Sequence, residues 1–150
     1  MKKILIHILF ITVVVGLGAL IGVSNIPGDW YQSLVKPPFN PPNWIFGPVW
    51  TALYVLIGIA GARTWLSAPA SARMQVWFGQ MALNFLWSPA FFGAESTLLG
   101  LIVIVPLLFA IIGFIRMGWN RDRISALLFL PYLGWVGFAT LLNLSLFLLN

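Results

Sequence analysis

Five apolar stretches, at residues 4–24, 43–65, 73–92, 97–117 and 123–149, carry no Asp, Glu, Lys or Arg in their middle. Each matches the ~20 residues that a helix needs to cross a bilayer. In hydrocarbon every backbone N–H and C=O must find its partner inside the segment or in a closed barrel, and runs of this length and continuity do so as α-helices. The expectation is an all-α integral membrane protein, a five-transmembrane-helix bundle forming one domain over residues 1–150. Composition agrees: 61% of the 150 residues are hydrophobic and 7% charged, against about a quarter charged in soluble domains. Such a chain cannot solvate its own surface.

The same numbers exclude several functions. There is no cysteine, hence no disulfide and no thiolate metal site, and the lone histidine, His7, has no second ligand near it. No metal is expected, and His7 reads as an interfacial side chain. The net charge of +5 comes from scattered residues without a basic run, so no nucleic-acid partner is expected. Proton- or ion-coupled carriers place charges within their spans; this chain places none. No Walker loop, G-x-S-x-G or H-E-x-x-H pattern occurs.

Charge outside the spans sets an orientation. Lys2, Lys3, Arg63, Arg73, Arg116, Arg121 and Arg123 fall on one side, leaving Lys36 alone on the other. The positive-inside rule then puts the N-terminus in the cytoplasm and the C-terminus outside. Lys2 and Lys3 before Ile4 give a signal-peptide look, but the apolar run is too long for an h-region and no A-x-A site closes it, so a retained helix is expected. Gly18 and Gly22 would let a neighbour approach closely.

Residues 25–42 form an outer loop with Pro37, Pro38, Pro41 and Pro42 within six positions. Proline fixes φ and extends the residue before it, which makes this a stiff strap. A short helical turn capped by Asp29 is expected inside it, with Trp30 and Tyr31 at headgroup level. In the second span Phe46, Trp50 and Tyr54 recur every four residues on one face. Gln80, Asn84, Trp87 and Phe91 share a face of the third, and Pro131, Trp135, Ala139 and Asn143 a face of the fifth. Amides in hydrocarbon are costly without partners, so Gln80 and Asn84 should point inward, either as interhelical hydrogen bonds or as ligand contacts. The fourth span has no polar side chain between Thr97 and Arg116; it is expected to face lipid, kinked at Pro106. Aromatic stripes beneath a proline strap suit a cavity for a flat, apolar ligand, although stripes at this spacing also arise from plain packing.

One set of residues carries a resemblance across nearly the whole chain. It consists of Trp30-Tyr31, Lys36-Pro37, Pro41-Pro42, Trp44, Phe46, Trp50-Thr51, Leu53-Tyr54, then Leu83-Asn84-Phe85-Leu86-Trp87-Ser88-Pro89 with Phe92, then Pro131-Tyr132-Leu133 with Trp135, and Asn143. With these marks in this order the chain resembles the tryptophan-rich sensory protein / translocator protein family, also called peripheral-type benzodiazepine receptors. The resemblance implies a five-helix membrane bundle and a homodimer. It also implies binding of porphyrins such as protoporphyrin IX, or of isoquinoline carboxamides, with no cofactor required. The resemblance puts Trp50, Trp135, Asn84 and Trp87 at the site; the aromatic stripes and the strap add Pro42, Phe46, Tyr54, Phe91 and Ala139 to the expected ligand-binding set, with Lys36 as candidate partner of a propionate or else a free interfacial lysine. Some bacterial members are reported to degrade porphyrin in light and oxygen, which would make Trp50 and Trp135 the catalytic pair. Animal members end the last helix in a cholesterol motif; the end here, FATLLNLSLFLLN, lacks its tyrosine and its basic residue. The departure speaks against a cholesterol role and for a bacterial membrane. The expected function is a membrane receptor for tetrapyrroles. Its rivals are a light-dependent degrading enzyme, a porphyrin transporter, and a partner-regulating subunit without a small ligand.

Overall fold

A computed structural model describes residues 1–150. All its regular structure is helical, in the order α1 (Lys2–Ser24), α2 (Asp29–Ser33), α3 (Phe46–Ser67, entered through a tight turn at Asn43–Ile45), α4 (Ala72–Ser88, prolonged by a wider turn at Pro89–Gly93), α5 (Thr97–Gly118), α6 (Arg123–Leu128) and α7 (Leu130–Leu149). Four segments are long and apolar enough to cross a membrane: Lys2–Ser24, Asn43–Ser67, Thr97–Gly118 and Arg123–Leu149. The 17 residues of α4 carry buried Arg73, Gln80 and Asn84 and fall outside that group.

Several helix starts follow from short polar side chains that accept otherwise unpaired N–H groups. Ser71 accepts from Met74 N at 3.1 Å, Ser96 from Leu99 N at 3.1 Å, and Asp122 from Ser125 N at 3.3 Å. Asp29 does not act this way. Gly28 is the capping residue of α2, and Asp29 lies in the first turn without a side-chain cap, where its charge still suits the positive helix end.

Prolines alter two of the expected helices. Pro89 offers no N–H, and the backbone widens by one residue after Ser88, with Ala94 N bonding Pro89 O at 2.8 Å. The fifth expected helix is two pieces, because Pro131 cannot donate and disfavours helical geometry at Leu130; the chain turns at Phe129 (φ −86°, ψ −9°). Pro106, by contrast, is carried inside a continuous α5.

Around the bundle α1 packs on α3, α3 on α6, α7 on α5, and α5 on α4. The core holds Val14, Ile57, Met74, Trp77, Ile104, Leu107, Ile111, Phe114, Phe129, Tyr132 and Val136. Here the expectation for the fourth span is corrected. It holds for one side only: α5 exposes Leu98, Leu99, Ile102, Val105 and Phe109, while its other side buries Gly100, Val103, Ile104, Leu107, Ile111, Phe114 and Ile115. A uniformly apolar helix gives no periodicity to tell core from lipid, so its environment is invisible in its residues. The Gly18/Gly22 pair divides similarly: a Cβ at Gly18 would fall on the Tyr54 ring, whereas Gly22 has nothing near.

Glu95, in the turn before α5, is the one non-glycine residue at positive φ (51°). A side chain there costs of order 1 kcal/mol. Glu95→Gly should therefore raise unfolding stability by about 0.5–1 kcal/mol, read as a higher midpoint in detergent unfolding; a lower midpoint would contradict the strain.

At the end of the bundle away from the strap, Arg63 donates to Asp122 at 2.8 Å and joins α3 to α6. Burial alone would push the Asp122 carboxyl up. The Arg63 guanidinium and the Ser125 hydroxyl and N–H outweigh it and hold the carboxyl below its ordinary value. A lowered folded pKa means stability that is present above the unfolded pKa of about 4 and is lost as pH falls through the folded one. Acid titration of stability below about pH 4 should thus be steeper in the native chain than in Asp122→Asn; equal slopes would remove the ion pair from the account.

Candidate functional site

Above the outer half of the bundle the strap is fastened on both sides. Tyr31, buried, meets Phe91 and Phe92 edge-on at 6.2 and 5.4 Å, and Trp30 meets Phe91 at 5.5 Å. The widened turn at Pro89–Gly93 is what brings both phenylalanines to the strap. Across the bundle Phe39 reaches Phe138 of α7 at 6.3 Å. Asn150 closes the second attachment, accepting from Val35 N at 2.9 Å and donating to Val35 O at 3.0 Å.

Beneath the strap lies a cavity of about 560 Å³ whose 30 lining residues include no charged side chain. The wall on α3 is Phe46, Gly47, Trp50, Thr51 and Tyr54; on α4 and its turn it is Asn84, Trp87, Phe91 and Phe92. Trp135, Ala139 and Asn143 of α7 face them, α1 closes one side with Gly18, Ala19 and Gly22, and Tyr31, Asn40 and Asn43 stand at the strap. Spacings of four on α3 and α7 aim each stripe at one place, as the periodicity predicts. The rings interlock: Trp50 meets Tyr54 at 5.5 Å and Tyr132 at 6.4 Å, Phe46 meets Trp135 at 5.7 Å, and Trp87 stacks on Phe91 at 5.0 Å.

Eight of the sequence-predicted residues thus share one cavity: Phe46, Trp50, Tyr54, Asn84, Trp87, Phe91, Trp135 and Ala139. Two do not. Pro42 is exposed and begins the turn into α3, while its neighbours Asn40 and Asn43 line the wall. Lys36 is turned back on α2, its Nζ donating to the carbonyls of Tyr31 (2.8 Å), Gln32 and Leu34 (both 3.3 Å) and lying 4.6 Å from the Tyr31 ring centre. A cation at a helix C-terminus satisfies carbonyls that have no helical partner, which explains why Lys36 serves the strap and not the cavity. Sequence reasoning missed Ile104 and Leu107 of α5, which also line the wall. No residue signal marks them.

The buried amides hold the helices together. Tyr54 donates to Asn84 Oδ1 at 3.1 Å, Asn84 Nδ2 donates to the Tyr132 hydroxyl at 2.7 Å, and that hydroxyl donates to Gln80 Oε1 at 2.7 Å. The chain links α3, α4 and α7 through groups that are 0–6% exposed at Gln80, Asn84 and Tyr132. A second link runs from Trp87 Nε1 to Asn143 Oδ1 at 3.1 Å and from Asn143 Nδ2 to Thr97 O at 2.8 Å. Asn84 is therefore structural first, with one amide hydrogen and one carbonyl lone pair left over. Trp135 differs: its indole Nε1 is buried without any partner.

Comparison with known proteins matches most of this chain. Residues 8–149 fit the TspO/MBR family. The chain is 46% identical over 123 residues to the tryptophan-rich protein TspO of Archaeoglobus fulgidus, covering 81% of this chain and 80% of that one. It is 40% identical over 133 residues to protein CrtK of Rhodobacter capsulatus (86% and 83% covered) and 36% identical over 142 residues to the translocator protein of Ovis aries (88% and 83% covered). With helices of membrane-spanning length and a family match over almost its whole length, this integral membrane protein belongs to the TspO/MBR family.

Proposed function

We propose that the protein is a membrane receptor for tetrapyrroles, binding one flat porphyrin in the cavity beneath the strap. The carrying observation is the cavity itself: about 560 Å³, aromatic on opposed walls and free of charge. It falls within the roughly 300–1,000 Å³ of small-molecule sites. The macrocycle would lie among Trp50, Trp87 and Trp135, where offset or edge-on ring contacts each add about 0.5–1.5 kcal/mol beyond area burial. Trp135 Nε1, lacking any protein acceptor, is the donor a ligand would satisfy. The ligand's carboxylates would sit at the strap, against Asn40 and Asn43, since Lys36 is engaged elsewhere.

The same reading takes α4 with its following turn as a fifth span. It packs along α5 and also touches α1 and α3, and its buried Gln80 and Asn84 find partners inside the bundle. The strap and Lys36 then face outward, and the end bearing the other basic residues faces the cytoplasm.

A second reading, light-dependent porphyrin degradation, is favoured by the placement of both Trp50 and Trp135 on the cavity wall. An indole in contact with a photo-excited porphyrin can donate an electron to it, with dioxygen as the further reactant. Titration with protoporphyrin IX in detergent, followed by tryptophan quenching in the dark and then under light, tests both. Saturation near one porphyrin per chain supports the receptor, and a discrete product absent from Trp50→Phe and Trp135→Phe supports the enzyme. Unsaturable quenching defeats both. The double variant should weaken dark binding by about tenfold, as expected for losing ring contacts of roughly 1 kcal/mol or less each.

A further inference from the structure

The end of the bundle opposite the strap carries a charge excess that the cavity does not use. There Arg73 donates to Ser67 at the end of α3, and Arg63 and Ser125 take the one acid, Asp122. Arg116, Arg121 and Arg123 follow within eight residues and form no ion pair. Arg116 closes the last turn of α5, whose most apolar 18 residues have a mean hydropathy of 3.0. Its guanidinium therefore stands where hydrocarbon gives way to headgroups. Next to it Trp119 is partly exposed, and Arg123 lies over its indole, 5.0 Å from the ring centre, with Nε donating to Trp119 O at 3.1 Å. Between them is a groove of about 240 Å³ lined by Ile115, Arg116, Trp119 and Asn120.

We propose that this groove seats the phosphate headgroup of an anionic phospholipid. Ile115, almost wholly buried in the bundle core, closes the apolar floor of the groove. Trp119 supplies a ring suited to the carbonyl-and-headgroup layer. Arg116 presents the planar fork that matches two phosphate oxygens, and the Asn120 amide is a further donor. Arg121 and Arg123 add unpaired positive charge, so a lipid with net negative charge is selected over a zwitterionic one. Free phosphate would match the guanidinium but leave the indole uncovered.

The test uses the full-length protein in phosphatidylcholine vesicles that contain, as a minority component, acyl-brominated phosphatidylglycerol or acyl-brominated phosphatidylcholine. Subtracting the emission of Trp119→Phe isolates the indole at 119. Stronger quenching by the brominated anionic lipid is expected, with the preference falling about fivefold for each arginine lost in Arg116→Gln and Arg123→Gln. Circular dichroism identifies any variant that fails to fold. Lys2→Gln with Lys3→Gln removes as much charge from the same end without touching the groove, and it should leave the preference intact. Equal quenching by the two lipids overturns the proposal. An equal loss in the lysine variant reduces the effect to diffuse surface potential and also overturns it. Relief of quenching by millimolar inorganic phosphate assigns the groove to a free anion instead.

Discussion

Ala139→Trp is expected to abolish porphyrin binding at concentrations that saturate the native protein, weakening it by about 10–100-fold, while leaving the helices in place. Ala139 is the small residue on the α7 stripe, between Trp135 and Asn143, and it lines the cavity without belonging to the fully buried core. A tryptophan there grows into empty space, so it occupies the ligand's volume and spares the packing behind it. Circular dichroism and detergent unfolding should change little, whereas dark quenching by protoporphyrin IX should lose its saturable phase. Retained affinity would place the porphyrin outside this cavity. A variant that unfolds is separated from one that merely cannot bind by the same circular dichroism measurement, and Ala139→Leu, with a smaller intrusion, should then give an intermediate affinity.

Asn84→Leu carries the largest expected cost in stability, about 2–3 kcal/mol. Its amide accepts from Tyr54 and donates to Tyr132, and Tyr132 is fully buried. Each interhelical hydrogen bond within a membrane contributes about 0.6–1.7 kcal/mol. A stranded buried hydroxyl adds a desolvation cost of about 1–3 kcal/mol. The Tyr132 hydroxyl keeps its bond to Gln80, which limits that second cost to Tyr54. Tyr54→Phe breaks only the outermost bond and should cost roughly 1 kcal/mol. In the double variant the cost should be clearly less than the sum, because the Tyr54 bond is lost only once. Unfolding in mixed micelles measures all three. Additive costs would mean that the Tyr54–Asn84 bond contributes nothing.

The two variants separate roles that share one wall. Ala139 acts on volume, Asn84 on the bonds between helices. A ligand that needed the remaining hydrogen of the Asn84 amide would lose affinity in Asn84→Leu beyond what instability explains, and ligand-induced stabilisation of the folded variant would report it.

Much of this was legible in the residues. Absence of charge from long apolar runs forces membrane helices, since no other local structure satisfies its own backbone in hydrocarbon. Four-residue spacing of Phe46, Trp50 and Tyr54, and of Trp135 and Ala139, forces each set onto one side of its helix. Buried amides must find partners, so Gln80 and Asn84 had to face inward. Proline likewise announced the stiff strap. Which partner each group takes is a different matter, because it depends on residues distant in the chain. Lys36 could reach a ligand carboxylate or the carbonyls of α2, and the local helix end holds it. The environment of α5 is the clearest case. Its residues are apolar all round, and lipid and protein core are equally apolar, so nothing in its composition distinguishes them. Its burial against α4 and α7, and with it the floor that Ile104 and Leu107 give the cavity, follows from how the other helices close around it.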